Sequence, residues 1–151
     1  VIAYTELSRF TDAESEFREV LRLRPGYAAA YYGLSSIYTR LGRDTEASEA
    51  ISEANRLALE RVAVGRAQSE DAVARGLSFF NAGNISDAIN RFEAAVELDS
   101  NFATAYYWLG ASLEESERNG PARSAFQRYL QLASDGEFAA EARQRLENLD
   151  P

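Results

Sequence analysis

The strongest constraint on this chain is a pattern that recurs along it at a nearly regular interval. Four segments carry an alanine and, four residues later, a large apolar residue. These pairs are Ala13 and Phe17, Ala47 and Ile51, Ala88 and Phe92, and Ala122 and Phe126. Successive alanines are 34, 41 and 34 residues apart, and residues four apart share one face of a helix. A helical unit at this interval predicts stacked helix pairs, each burying its apolar face against the next.

A second pattern precedes three of the four alanines. It places an aromatic or small residue, a longer residue, a small residue and a large apolar residue on one helical face. The three sets are Tyr31, Leu34, Ser35 and Tyr38; Ala72, Arg75, Gly76 and Phe79; and Tyr106, Leu109, Gly110 and Leu113. The small residue in the third place of each set allows a neighbouring helix to approach closely, while the large residues fill the space around it.

Together the two patterns resemble the tetratricopeptide repeat family. The family signature has an aromatic residue, a leucine, a small residue and a tyrosine on the first helix, then alanine and phenylalanine on the second. Pro25, twelve residues after Ala13, matches the family's proline. The equivalent places in the later repeats hold Leu59, Ser100 and Ser134. The resemblance covers nearly the whole chain and implies an all-α fold, a right-handed superhelical solenoid of stacked antiparallel helix pairs.

The repeats predict a single domain that includes all 151 residues. Its parts are a partial first repeat at 1–26, a second repeat at 27–60, an insertion within extended helices at 61–68, a third repeat at 69–102, a fourth repeat at 103–136 and a C-terminal capping helix at 137–149. Nine helical segments are expected, near 1–8, 11–24, 27–41, 44–63, 66–82, 85–98, 102–117, 120–133 and 136–148. The charged outer face of the last segment suits a terminal unit.

Turn residues fall between several of these segments. Gly42 and Gly83 suit the left-handed conformation that ends a helix. Asp44 and Ser86 are expected to cap the helices that follow. Pro121 suits the first turn of a helix.

The 41-residue interval contains seven extra residues, near Leu59 to Gln68. Seven residues make about two helical turns, and no proline interrupts them. We expect longer helices that flank a turn at Gly65. One consequence would be a slightly altered superhelix at this joint, and the alternative is a protruding helical hairpin that contacts a partner.

The pattern begins part-way through a repeat. Tyr4 matches the family's tyrosine, but the preceding leucine would lie before Val1. We therefore expect the chain to be part of a longer protein, or to have been trimmed at its start. An open N-terminal end would expose apolar surface and favour self-association. The cellular compartment stays open, because a leader or anchor would lie outside the chain.

The composition excludes several classes of site. Because the chain has no cysteine, it holds no disulfide, zinc–thiolate site or cysteine nucleophile. It also lacks histidine, the commonest general base and metal ligand, so no cofactor or metal is expected. A net charge of −8 repels phosphate backbones, which argues against a nucleic-acid partner. No apolar run is long enough to span a membrane.

In this family the first helix of each pair lines the concave surface, and the resemblance therefore implies a partner-binding groove. The residues beside the core stripe on these helices are Tyr32, Ser36, Arg40, Val73, Leu77, Phe80, Tyr107, Ala111 and Glu114. Tyr32, Phe80 and Tyr107 would form an aromatic line, and such rings supply large contact area with few rotatable bonds. The alternative is that these rings pack between adjacent helices. Arg40 could pair with an acidic group of a ligand.

The sequence thus predicts a non-catalytic scaffold or adaptor that holds a peptide segment of a partner protein. Some family members clamp a C-terminal carboxylate with lysines and asparagines, and no such clamp is visible here, so chaperone tails are not expected. The alternatives are an oligomerisation or spacer domain and, further off, a regulatory domain attached to an enzyme. Glu114, Glu115 and Glu117 do not form a catalytic pair, because neighbours in sequence point different ways on a helix.

Overall fold

The computed structural model describes the backbone of residues 2–149 and the side chains of residues 9–149. The described chain forms seven helices: α1 (Ile2–Leu23), α2 (Ala28–Arg40), α3 (Asp44–Asn81), α4 (Ile85–Leu98), α5 (Ala103–Glu115), α6 (Asn119–Leu132) and α7 (Ala139–Leu149). Residues 2–149 contain no β-strand. The predicted all-α helical-repeat fold is confirmed.

The chain divides into two compact units, an N-terminal unit of residues 1–62 and a C-terminal unit of residues 63–151. In the N-terminal unit, α1 packs against α2. In the C-terminal unit, α5 packs against both α4 and α6, and α6 packs against α7. The boundary at residues 62 and 63 falls within the predicted insertion, and a single solenoid through the whole chain stays a prediction.

Three helices end in the same way, with a residue in the left-handed conformation. Gly42 follows α2 with φ 69°, Gly83 follows α3 with φ 76° and Glu117 follows α5 with φ 59°. The next amide in each case donates to the carbonyl five residues back, which is the 6→1 bond of the Schellman arrangement. These bonds run from the N–H of Arg43 to the carbonyl of Tyr38, from Asn84 to Phe79 and from Arg118 to Leu113, each at 2.9 Å. The prediction for the two glycines is confirmed.

The loops between helix pairs also repeat one pattern of backbone hydrogen bonds. Each loop begins with an amide that donates four residues back, and two amides that each donate three residues back follow it. The donors are Arg24, Tyr27 and Ala30 before α2; Asp99, Phe102 and Ala105 before α5; and Ala133, Gly136 and Ala139 before α7. This shared pattern defines an inter-repeat loop, which occurs at the ends of the first, third and fourth repeats.

The inter-repeat loop is missing between the second and third repeats, where α3 continues for 38 residues. The predicted turn at Gly65 is therefore wrong, and so is the hairpin. Leu59 stands where the family's proline would end the helix, and one glycine inside a helix costs only about 1 kcal/mol. Gly65 serves packing instead, because a Cβ there would lie 2.9 Å from the carbonyl oxygen of Leu98.

Two smaller expectations also need correction. The predicted break between residues 8 and 11 does not occur, since α1 is continuous and contains neither glycine nor proline. Ser86 does not cap α4, because it is the second residue of that helix. Asp44 is the first residue of α3, where its charge lies in the first turn and favours the positive end of the helix dipole.

Small residues allow the helices of each pair to approach closely. A Cβ on Gly76 would lie 2.5 Å from the ring of Phe92, and one on Gly110 would lie 2.8 Å from the ring of Phe126. Both rings are fully buried. The predicted role of the small residue in the repeat is thus confirmed at these two positions.

Candidate functional site

In the N-terminal unit, the predicted groove residues of α2 lie along one exposed face. Tyr32, Ser36 and Arg40 are spaced four residues apart, and all three are exposed. We call these three residues the α2 face. They present an aromatic ring, a hydroxyl and a cation in a row on one helix. Residues on the opposite side of α2, such as Leu34 and Tyr38, are buried in the core of the unit.

Contacts from neighbouring helices hold both ends of the α2 face. The hydroxyl of Tyr32 donates a hydrogen bond of 2.7 Å to Oδ1 of Asn55 on α3. The guanidinium of Arg40 lies 5.8 Å from the centre of the Phe10 ring on α1. Such contacts limit the side-chain rotamers, which reduces the entropy that a ligand must overcome on binding.

In the C-terminal unit, three of the predicted groove residues lie in the core and not on the surface. Val73, Tyr107 and Ala111 are buried, at 6%, 2% and 3% exposure. The expected exposed aromatic line is therefore wrong at Tyr107, because α7 and the segment before it cover this ring. The ring of Phe138 stacks on it with centroids 4.1 Å apart. Burial in the core leaves these three side chains no surface for a partner.

The remaining predicted residues of this unit lie beside a cluster of half-buried aromatic rings. Leu77 and Phe80 are half-buried against the core. The ring of Trp108 makes edge contacts with Phe80 at 5.8 Å and with Phe138 at 5.7 Å. Sequence reasoning missed Trp108 and Phe138, although a lone tryptophan next to Tyr107 was a usable signal.

Glu114 ends the predicted set, and it is held in an ion-pair network. Arg145 on α7 lies 2.6 Å from Glu114 and 2.8 Å from Glu141. Hydrogen bonding from Arg145, with a further contribution from Tyr107, lowers the pKa of the Glu141 carboxyl. Burial, followed by the neighbouring Glu141, raises the pKa of Tyr107 to about 12. The network joins α5 to α7, so Arg145 already has two carboxylate partners.

Two kinds of site are not found in the described part of the chain. No group of three or more acidic residues there is placed to hold a metal ion. None of the described helices is long and apolar enough to cross a membrane.

The helix pairs, their recurring loops and the exposed face on a first helix define this chain as an α-helical repeat protein. The model of the tetratricopeptide repeat matches residues 1–61 and 73–137. The chain therefore belongs to the tetratricopeptide repeat family. The unmatched residues between the two segments lie within α3, where the inter-repeat loop is missing.

The chain is similar to several known proteins. A Hordeum vulgare protein, the probable UDP-N-acetylglucosamine–peptide N-acetylglucosaminyltransferase SPINDLY, is 32% identical over 99 residues, or 66% of this chain. The chain spans only 10% of that protein's length.

Two solved structures share the fold. The first TPR domain of Spaghetti (RPAP3), bound to the HSP90 peptide SRMEEVD, has a TM-score of 0.51 and 18% identity, covering 81% of this chain and 91% of its own. A chain of the APC/C hetero-tetramer Cut9–Hcn1 has a TM-score of 0.50 and 17% identity, covering 97% and 34%.

Proposed function

We propose that this chain is a protein-interaction module that holds a peptide segment of a partner protein along the α2 face. The observation that carries the proposal is the exposed row of Tyr32, Ser36 and Arg40. First helices of the pairs carry the binding surface in the family that the chain belongs to. Leu77, Phe80 and Glu114 belong to the C-terminal unit, and we propose them as candidates for a separate partner contact.

The chemistry of the α2 face suits a peptide with one apolar and one acidic side chain. Tyr32 is 41% exposed and offers an aromatic surface with a polar tip, a combination enriched at interfaces. Arg40 lies two turns further along the helix, and a guanidinium binds carboxylates through paired hydrogen bonds. Ser36 between them can donate to or accept from the peptide backbone.

A structure with the same fold supports this kind of ligand. The RPAP3 domain is bound to an acidic HSP90 peptide, which shows that a stack of such helix pairs can hold one. The specific ligand of this chain should differ, because the lysines and asparagines of a carboxylate clamp are missing here. We therefore propose an internal acidic–apolar segment as the ligand, in place of a chaperone tail.

The test begins with peptides selected from a random-peptide display library on the full 151-residue chain. We expect Tyr32→Ala and Arg40→Gln each to weaken the binding of the selected peptides about tenfold or more. Tyr32→Phe should retain most of the affinity, since it keeps the ring. Fluorescence polarisation measures the dissociation constants, and circular dichroism checks that helicity is unchanged.

Tyr27→Ala is the matched control. Tyr27 is 45% exposed, much like Tyr32, but it lies in the loop before α2 and outside the α2 face. Its substitution should leave the affinity unchanged. Peptides whose affinity is insensitive to Tyr32 and Arg40, or equally sensitive to Tyr27, would show that the site is elsewhere.

The proposal assigns no catalytic step to this chain. Glu114 is paired with Arg145, so the acidic end of α5 acts as a structural contact and not as a general base. The likeness to the SPINDLY protein favours a second candidate, a regulatory or substrate-binding module within a larger enzyme. In both candidate functions, these residues serve to bind another protein.

A further inference from the structure

Three aromatic side chains of the C-terminal unit meet at half-buried positions. The ring of Trp108 on α5 lies 5.8 Å from that of Phe80 on α3 and 5.7 Å from that of Phe138, just before α7. All three rings are half-buried beside the core. We call them the ring cluster. Because they come from three separate segments, only the folded unit brings them together.

The angles within the ring cluster leave aromatic faces for a ligand. The ring planes of Trp108 and Phe80 meet at 63°, and those of Trp108 and Phe138 meet at 69°. In such an edge-to-face pair, one ring contributes its positive edge and only the other contributes its negative face. A cation over a ring face is attracted by this negative charge, and tryptophan attracts it most strongly.

Carboxylates without a cation partner lie beside the ring cluster. Glu137 directly precedes Phe138, and Glu115 follows Trp108 by seven residues, which is about two turns along nearly the same side of α5. Both carboxylates are exposed. Neither forms an ion pair within residues 9–149. They are therefore free to pair with a positively charged ligand.

The arginine of α7 does not cancel this negative charge. Arg145 lies 2.6 Å from Glu114 and 2.8 Å from Glu141, so these three groups together stay negative. The hydroxyl of Tyr107 is hydrogen-bonded to Glu141, and the Tyr107 ring lies 5.2 Å from that of Trp108. This ion-pair network is thus connected to the ring cluster.

The charge of the whole unit has the same sign. Residues 63–151 contain 14 acidic and 8 basic residues, a net charge of −6, whereas residues 1–62 contain 10 acidic and 8 basic residues, a net charge of −2. The field of the C-terminal unit therefore attracts positively charged segments and repels negatively charged ones.

One place in the repeat shows how the charge differs between the two units. Arg40, Asn81 and Glu115 each lie nine residues after the first residue of the second sequence pattern, and all three are exposed. The place that holds a cation in α2 thus holds a neutral amide in α3 and a carboxylate in α5. An acidic segment that suits the α2 face would be repelled at this place in α5.

We propose that the ring cluster binds a basic segment of a partner protein, with an arginine or lysine side chain against the rings and further positive charge facing Glu115 and Glu137. A purely apolar ligand would account for the rings but not for the unpaired carboxylates. The proposal rests on the proposed function only for the class of ligand, a protein segment. It gives the chemistry of the separate contact in the C-terminal unit and needs nothing from the α2 face.

The full-length double variant Tyr32→Ala, Arg40→Gln isolates this site from the α2 face. Peptides are selected on this variant from a random-peptide display library. We expect the selected peptides to be enriched in arginine and lysine and depleted in aspartate and glutamate. When each basic residue of a selected peptide is replaced in turn by norleucine, at least one replacement should weaken binding about tenfold. A selection without binders, or binders without a basic excess, would overturn the proposal.

Substitutions in the chain then locate the site. Glu115→Lys should weaken binding of the selected peptide tenfold or more, because an attraction becomes a repulsion, and it should leave helicity unchanged because the side chain is exposed and unpaired. Glu97→Lys is the matched control, since it makes the same change of charge at an exposed glutamate of α4, and it should have little effect. Trp108→Leu keeps an apolar side chain but removes the ring. It should weaken binding of the arginine or lysine peptide much more than binding of its norleucine counterpart, a difference that general unfolding would not produce.

Trp108 also reports the contact directly, because it is the sole tryptophan of the chain. Its indole N–H signal in nitrogen–proton NMR spectra should shift when the basic peptide is added, and binding should weaken as salt is added. An indole signal that does not move, or equal effects of Glu115→Lys and Glu97→Lys, would contradict the proposal. Peptide binding at Tyr32 is measured separately, so either proposal can fail alone.

Discussion

Glu117 adopts the same left-handed backbone conformation at the end of α5, φ 59°, that Gly42 and Gly83 adopt at the ends of α2 and α3. The left-handed conformation costs a residue with a side chain about 1–2 kcal/mol. Glycine avoids this cost, but part of the gain is lost because its unfolded state has more conformational freedom. We therefore expect Glu117→Gly to stabilise the protein by about 0.5–1 kcal/mol. Urea denaturation of the two proteins measures this difference.

The reciprocal change provides the control. A Cβ on Gly42 would meet no atom within 4 Å, so Gly42→Ala tests the backbone conformation alone. It should destabilise by about 1 kcal/mol. If Glu117→Gly were neutral or destabilising while Gly42→Ala had its expected cost, the Glu117 side chain would have to make a favourable contact that offsets the strain.

Residue roles that follow from the repeat were predictable, and those set by neighbouring helices were not. Gly76 and Gly110 are recognisable because the small residue recurs at a fixed place in the pattern. Gly65 was predicted to form a turn. Its packing role against the carbonyl of Leu98 could not be predicted, because that carbonyl belongs to a helix more than 30 residues away in the sequence. The burial of Tyr107 has the same origin, since Phe138 covers it from a segment that lies outside the repeat signature.

At the scale of an element, α7 is anchored by the loop before it as well as by its own apolar side. The N–H of Phe138 donates a hydrogen bond of 2.9 Å to the hydroxyl of Tyr129 on α6. A Cβ on Gly136 would lie 2.5 Å from the same hydroxyl, so this loop also needs a glycine. The larger ring at position 129, where earlier repeats have Val20, Ala54 and Ala95, thus has a specific hydrogen-bonding role.

Tyr129→Phe should loosen the start of α7. It removes the acceptor and leaves the amide of Phe138 without this partner, which costs about 1–3 kcal/mol for a buried group. We expect faster hydrogen exchange at the amides of the loop before α7, with α4 and α5 unaffected. Tyr106→Phe likewise removes one tyrosine hydroxyl, in this case from a half-buried ring, and should leave the exchange unchanged. Equal effects of the two changes would contradict the proposed anchor.

At the scale of the whole molecule, the order and type of the helices followed from the repeat spacing, and the path of the chain at the 41-residue interval did not. A seven-residue insertion is nearly in phase with a helix, since seven residues fall about 20° short of two full turns. The same residues can therefore continue one helix or flank a turn. With leucine in place of proline at position 59, nothing local enforces the turn.

The stability of the molecule should depend on pH at its two extremes. Hydrogen bonds from Arg22, Arg43, Arg56 and Arg145 lower the pKa values of four glutamates, Glu19, Glu46, Glu53 and Glu141. A carboxyl whose pKa is lowered by folding adds stability above its unfolded pKa, near 4.3, and that stability is lost as the pH falls. The raised pKa of Tyr107, about 12, adds stability that is lost as the pH rises from about 10 to 12.

Between these limits the free energy of unfolding should be nearly constant, because the chain has no histidine to titrate. Denaturant titrations at a series of pH values measure the profile. Tyr107→Phe should remove much of the alkaline loss and leave the acid limb in place. A stability change centred near neutral pH, or an alkaline loss that is identical in Tyr107→Phe, would be inconsistent with these assignments.

Trp108 is the sole tryptophan of the chain, and its ring lies within 6 Å of the rings of Phe80, Tyr107 and Phe138. Its fluorescence therefore reports on one place, the seam where α7 closes over α5. Without any label, the wavelength of its emission should show whether the last helix is packed in place, while the helices of the N-terminal unit, which contain no tryptophan, add nothing to that signal.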